Sequence, residues 1–310
     1  MESLPKNDYL EFHRDTLEVV RRGVGLHRPG EMADAVRILH DWVKQQKHFL
    51  KKDIDPVYLE TLIVMSKGSL ECAKVKLDKI CMMRTQQYQF FAPCDIEKEF
   101  QYINGNSHML ALPKMTADYN RVLLGKFIGK FSDPKVLKSL YKVLYSCLDY
   151  FKRYDYHAGM ELIYDVSECD VKDAIANANL MELKNCYDNL LDSYGFRVKR
   201  IHIIIGSKIA YTLLNFFKQF LKKKIVDRLM VHESREVLQQ YYPKHIMPKD
   251  YGGTERSIAE LQEDFITQMT TLECRAYLKE LAEMRVDEAH RPVSSDDVIS
   301  SGTFRALTID

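Results

Sequence analysis

The sequence predicts an α/β protein in which a small helical bundle precedes the sheet. Three observations carry that prediction. Between residues 31 and 84 apolar positions recur at helical spacing. Beyond residue 105, short apolar runs of strand length alternate with longer amphipathic stretches. Two of the runs, 160–166 and 201–205, are almost continuously apolar, as strands covered on both faces are. Strand–helix alternation of this kind favours a parallel sheet with right-handed crossovers.

Residues 1–30 read as an N-terminal extension, a helix and a loop punctuated by Gly23, Gly25, Pro29 and Gly30. Gly23-Val24-Gly25 has the look of half a dinucleotide loop, but no strand precedes it, so that reading is set aside. Residues 31–92 form the predicted helical domain. Ala33, Val36, Leu39, Val43 and Phe49 define its first helix. Pro56 opens a second that runs to Met65, and Gly68-Ser69 separates it from a third, 70–84. The stretch 86–105, with Pro93, reads as a linker.

The α/β domain spans residues 93–285. Runs 109–113 and 122–128 read as strands, 134–156 as a helix, 160–166 as a strand and 171–194 as one long helix. The strand 201–205 leads into a helix, 208–221, with Ile209, Leu213, Leu214, Phe216, Phe217, Phe220 and Leu221. That is more apolar surface than one core-facing stripe requires. Lys222, Lys223, Lys224 and Arg228 follow it, a sign that suits a helix C-terminus. Residues 286–310 read as a flexible tail, Ser/Asp-rich from Arg291 onward.

Composition narrows the function. The 310 residues are 46% hydrophobic and 29% charged with a formal net charge of +1, so no global field draws the chain to nucleic acid. Any anion site must be local. Seven cysteines without a Cys-x-x-Cys spacing suit buried thiols in a reducing compartment. Met1–Lys6 holds no apolar signal core, and 201–221 is interrupted by Gly206, Ser207, Lys208, Asn215, Lys218 and Gln219. The expectation is a cytoplasmic monomer that touches membranes peripherally and transiently. No metal, nucleophile or Walker motif has persuasive spacing, so neither an enzyme nor a cofactor is expected. His202 reads as a core histidine bonded to backbone, His232 and His245 as surface residues, and Asp165 as a helix-capping or turn residue.

Arg197–His202, the oily helix ending Phe220-Leu221, the Lys224/Arg228 pair and the Pro248-x-x-Tyr251-Gly252-Gly253 tail occur in an order that resembles the CRAL-TRIO family of lipid-transfer proteins. The resemblance covers residues 35–285. It implies a helical N-terminal unit packed on a lipid-binding α/β domain, with 208–221 as a mobile lid. It implies a bound hydrophobic ligand of retinoid, carotenoid or tocopherol type, carried between membranes. The ligand pocket would be lined by Leu140, Val143, Leu144, Cys147, Phe151, Leu162, Ile175, Leu183, Leu190, Ile201, Ile203, Leu213, Phe216, Phe217 and Phe220. Each could equally be core. Ser139, Tyr141, Tyr145 and Ser146 would orient a polar end. Burying about 500 Å² of ligand would contribute about 12 kcal/mol before entropic costs. The resemblance further implies that Arg197, Lys224 and Arg228 hold an anionic membrane surface, with phosphatidylinositol bisphosphate among the lipids recognised. The family's N-terminal arginine is not found near Val64–Ser66, and Lys67 is the nearest substitute. Alternatives are phospholipid or phosphatidylinositol exchange, and a protein-interaction module with a filled core.

Overall fold

The computed structural model describes residues 3–177, 179–188, 193–219 and 221–291. The N-terminal part is helical: α1 (Thr16–Arg22), α2 (Glu31–Gln45), α3 (Pro56–Met65), α4 (Leu70–Gln86), α5 (Tyr88–Phe91) and α6 (Ile96–Ile103). Asp55 accepts from Val57 N at 2.8 Å with Pro56 at the first helical position, and Ser69 accepts from Cys72 N, so α3 and α4 start where the sequence places them. The expected linker 86–105 is instead α5 and α6. The signal is Ile96, Phe100 and Ile103, one helical face, all buried.

The sheet follows, with β1 (Ser107–Ala111), β2 (Asn120–Gly129), β3 (Gly159–Cys169), β4 (Val198–Ile204) and β5 (Leu229–His232) side by side in that order. β1 is antiparallel to β2; the remaining pairings are parallel. Helix α7 (Pro134–Tyr154) connects β2 to β3. Among the described residues, the single helix expected over 171–194 is broken at Asn179 into α8 (Val171–Asn177) and α9 (Leu180–Asp188). The break has a local cause: Asn179 Oδ1 accepts from Met181 N and Glu182 N and caps α9. α10 (Lys208–Lys218), the expected lid, and the short α11 (Lys223–Val226) join β4 to β5. β5 was not anticipated, since a four-residue apolar run is too short to show a period. α12 (Ile258–Met269), with a full capping box at Ser257 and Glu260, and α13 (Leu272–Leu281) complete the fold.

Buried polar pairs tie the helical unit to the sheet domain. Arg84 of α4 donates to Asp149 of α7, and Tyr194 Oη donates to the same carboxylate at 3.0 Å. Glu60 of α3 accepts from Arg21 Nη2 of α1 and from Tyr156 Oη ahead of β3, both at 2.8 Å. Arg121 of β2 grips Asp155 with two bonds of 2.9 Å, neither side chain reaching solvent. Burial pushes the Asp155 carboxyl up, but Arg121 and His157 beside it leave it below the usual carboxylate range.

The N-terminal extension and the start of the expected flexible tail are built into the body as far as they are described. Tyr9 and Leu10 are buried, and Tyr9 Oη donates to Ala111 O at 2.6 Å. Val286 is buried and bridges Phe49, and Asp287 N donates to His48 O. The Ser/Asp-rich stretch from residue 292 lies outside the described residues.

Candidate ligand and membrane site

The two faces of the sheet differ in chemistry. Register puts Leu162 beside Ile201 and Tyr164 beside Ile203, with Val231 next to Ile203. This face is apolar, and Phe127 stands over it 6.4 Å from Tyr164, ring to ring. Tyr164, Ile203 and Val231 are only half-buried although they lie in inner and edge strands of one sheet. Close packing normally removes such side chains from water. Apolar area left reachable here is what a ligand could cover.

The predicted pocket residues divide on this criterion. Leu140 and Leu144 of α7, Ile175 of α8, Ile203 of β4 and Leu213 of α10 keep accessible surface. Val143, Cys147, Phe151, Leu162 and Ile201 are at most 1% exposed, and a cavity wall cannot be. They are core: Cys147 Sγ lies 3.8 Å from Met269 Sδ, and Phe151 stacks 6.2 Å from Phe265, both on α12. The side chains of Leu183, Phe216 and Phe217, and residues Leu190 and Phe220, lie outside what the structure describes. The proposed polar orienters face elsewhere. Ser139 Oγ donates to Glu99 Oε2 at 2.6 Å, Tyr141 meets Phe90, Tyr145 meets Phe91, and Ser146 lines a crevice with α5 and α13. They pack α7 against the N-terminal helices instead.

Arg197, Lys224 and Arg228 come together, and the structure adds Lys67, Lys76 and Lys199. Burial above all, then repulsion from Arg197, Lys67 and Lys224, brings the Lys76 ammonium down to about 8. Burial, then Arg197 and Arg228, lowers Lys199 as well. Among the described residues no carboxylate pairs with Lys67, Arg197, Lys224 or Arg228. Their positions are fixed from below. Lys76 Nζ donates to Met65 O at 2.8 Å and Gly195 O at 3.3 Å, and Arg228 Nη1 donates to Val198 O. The loop carrying Arg197 is held again by Lys152, which donates to Tyr194 O at 3.0 Å. Lys76 is the member of this group that sequence reasoning missed. Its register on α4 gave no signal, because the contact is made across 119 residues.

The opposite face is polar and closed. Asp165 is completely buried: Oδ1 accepts from Ser167 N and Oγ, and Oδ2 from Arg235 Nε at 2.7 Å and Tyr251 Oη at 2.8 Å. Asp165 lies inside β3 and not at the turn or helix cap expected of it, and Tyr251 packs beneath it. Gly253 is required by close approach, since a Cβ there would sit 1.8 Å from Met247 O. His202 is a core histidine, but its partner is not backbone. Its Nδ1 lies 2.9 Å from His232 Nε2, and His232 is buried rather than at the surface. Burial, then His232 and Arg200, lowers His202 to about 4, and burial lowers His232 as well. Among the described residues no three His, Cys, Asp or Glu side chains gather as metal ligands.

Residues 110–253 match the CRAL/TRIO domain model, and residues 28–100 match the Pinta-like UBA domain model. The chain thus carries a CRAL/TRIO domain over residues 110–253, within a mixed α/β fold that has a helical N-terminal region. Alpha-tocopherol transfer protein-like from Mus musculus is 38% identical over 66 residues, 21% of this chain and 19% of that protein. The Homo sapiens protein of that description is 36% identical over the same length. The match thus spans about a fifth of these curated relatives. A solved structure described as "Crystal structure of Sfh5" aligns at 11% identity and a TM-score of 0.46, covering 88% of this chain and 98% of that one. No described helix is long and apolar enough to cross a membrane.

Proposed function

We propose that the chain binds a small hydrophobic molecule against the apolar face of β3–β5, beneath α8 and α10, and carries it between membranes. Arg197, Lys224 and Arg228, joined by Lys67, Lys76 and Lys199, dock it to an anionic bilayer and hold a phosphoinositide headgroup. The observation that carries this reading is the pairing, on one molecule, of a half-buried apolar sheet face with clustered cations, of which Lys67, Arg197, Lys224 and Arg228 have no carboxylate partner among the described residues. Like charges held together gain most from a polyanion, and each cation near an anionic bilayer is worth about 1 kcal/mol. Ile209 and Tyr211 of α10 are exposed at 43% and 51%, apolar surface that suits the interfacial layer beside the cations.

Two measurements test it. Organic extraction of freshly purified protein, followed by mass spectrometry, should return one stoichiometric hydrophobic molecule of retinoid, carotenoid or tocopherol size. A phospholipid in its place would favour phospholipid exchange. An empty protein that also takes up no fluorescent lipid analogue would favour an interaction module. Vesicle co-sedimentation should show binding to phosphoinositide vesicles that Lys224→Ala with Arg228→Ala abolishes. Unchanged binding by that double variant would remove the docking role.

A further inference from the structure

The last described residues form a strap that runs against α4 in the opposite direction. Val286 N donates to Thr85 Oγ1 at 2.9 Å, near the C-terminal end of the helix. Arg291 Nη1 donates to Asp78 Oδ2, about two turns closer to the helix start. His48 Nε2 stands 2.8 Å from Asp78 Oδ1 and fixes that carboxylate. At Arg291 the chain is therefore heading towards the N-terminal end of α4.

The helix surface ahead of it is uncovered. Counting back from Asp78 in steps of three, a row of neighbours on one face passes Val75 and then Cys72. Val75 is 55% exposed, and Cys72 is exposed as well. Exposed Lys79 and Glu71 flank the row, and Glu71 is already held by Lys74 at 2.7 Å. One turn from Cys72 stands Lys76, the first cation of the basic face it shares with Lys67, Arg197 and Lys224. Lys67, Arg197, Lys224 and Arg228 have no carboxylate partner among the described residues.

The sequence after Arg291 has the composition that this path calls for. It reads Pro292-Val293-Ser294-Ser295-Asp296-Asp297. From Asp78 to Cys72 is about 9 Å of helix, and the step from residue 291 to 294, if extended, is about 10 Å. On that scale Val293 would meet Val75, Ser294 would meet Cys72, and the two aspartates would fall on the cations. A tether this short gives the aspartates a high local concentration there.

We propose that residues 292–297 continue the strap over Val75 and Cys72 and lay Asp296 and Asp297 on the basic face, as a tethered competitor that an anionic bilayer has to displace. The proposal rests on the docking function above and adds its restraint: the cations that bind the membrane are covered by the chain's own acidic pair.

The test ties this segment down without changing its charge. In the full chain, Ser294→Cys treated with glutathione disulfide should form a bond to Cys72 within one molecule. It should do so about tenfold faster than Ser301→Cys, and Cys72→Ser should abolish it. The tied protein should bind phosphatidylserine vesicles about tenfold more weakly than the same protein reduced. Asp296→Asn with Asp297→Asn should tighten binding by untied protein about fivefold, at about 1 kcal/mol for a charge near the bilayer. The same pair should remove most of the difference between tied and reduced forms. Equal cross-linking at positions 294 and 301 overturns the path. A cross-linking rate that rises with protein concentration would give the row to a second copy and overturn the assignment. Tied and reduced forms that bind vesicles equally well would sink the cover and leave the docking function standing. Protein that binds no phosphatidylserine vesicle in any form would sink both.

Discussion

Lys152→Met should remove a pH dependence from folding stability. The ammonium of Lys152 is completely buried between α7 and the loop that carries Arg197. Its Nζ donates to Tyr194 O at 3.0 Å and lies 4.7 Å from the Phe196 ring centre. Burial, then repulsion from Lys76, brings it down to about 7, with Asp149 pulling the other way. The folded value therefore lies below that of the unfolded chain, about 10.4. Between the two, the unfolded chain holds a proton that the native state has released, so stability rises with pH. The slope is at most about 1.4 kcal/mol per pH unit, and the gain from pH 7 to pH 9 is about 2 kcal/mol. Below pH 7 both states are protonated and the slope vanishes. Methionine keeps most of the apolar stem and does not titrate, at the cost of about 1 kcal/mol for the bond to Tyr194 O. Urea unfolding of both proteins between about pH 6 and about pH 9 gives the difference curve. The variant should be the more stable protein at the acid end and the less stable at the alkaline end. Parallel curves would refute the argument.

Other outcomes follow from single contacts. Arg121→Met should cost about 3–5 kcal/mol by leaving Asp155 buried without its partner, while Arg121→Met with Asp155→Leu should recover much of it in urea unfolding. A bound polyanion should draw Lys76 back above 8, so binding takes up a proton; vesicle affinity should be flat below about pH 8 and fall by up to about tenfold per unit above it, a fall that Lys76→Met loses. Gly206→Ala, ahead of α10, would put a Cβ 2.3 Å from Ser167 O and should destabilise by about 1–3 kcal/mol, read as a lower melting temperature. Tyr251→Phe should cost about 1–2 kcal/mol in the same assay by taking a donor from buried Asp165.

The sheet was legible where long-range order leaves a local trace. Covered strands such as β3 and β4 must be apolar along their length, and the caps of α3 and α4 are written in Asp55-Pro56 and Ser69. The four-residue β5 and the Asn179 cap inside an otherwise helical pattern were too short to read. The basic face was half legible. Arg197, Lys224 and Arg228 flank elements that had to be neighbours, whereas Lys76 reaches the loop at Gly195 from the helical unit and no periodicity announces that. Pocket and core residues could not be told apart, because both are apolar at the same spacing. Val143 and Leu144 are adjacent on α7, yet one is sealed and the other keeps accessible surface. The His202–His232 pair was hidden for a similar reason: parallel pairing of β4 with the unseen β5 brings the rings together.

The bridge between Phe49 and Val286 has a consequence for how this chain reaches its native state. Val286 N donates to Thr85 Oγ1 at 2.9 Å across 201 residues. Contacts of such separation form late, because loop closure must come first. During synthesis the helical unit would stay incomplete until most of the sheet had emerged. The two regions should therefore melt in one cooperative transition, and a cut between them would leave each with an open seam.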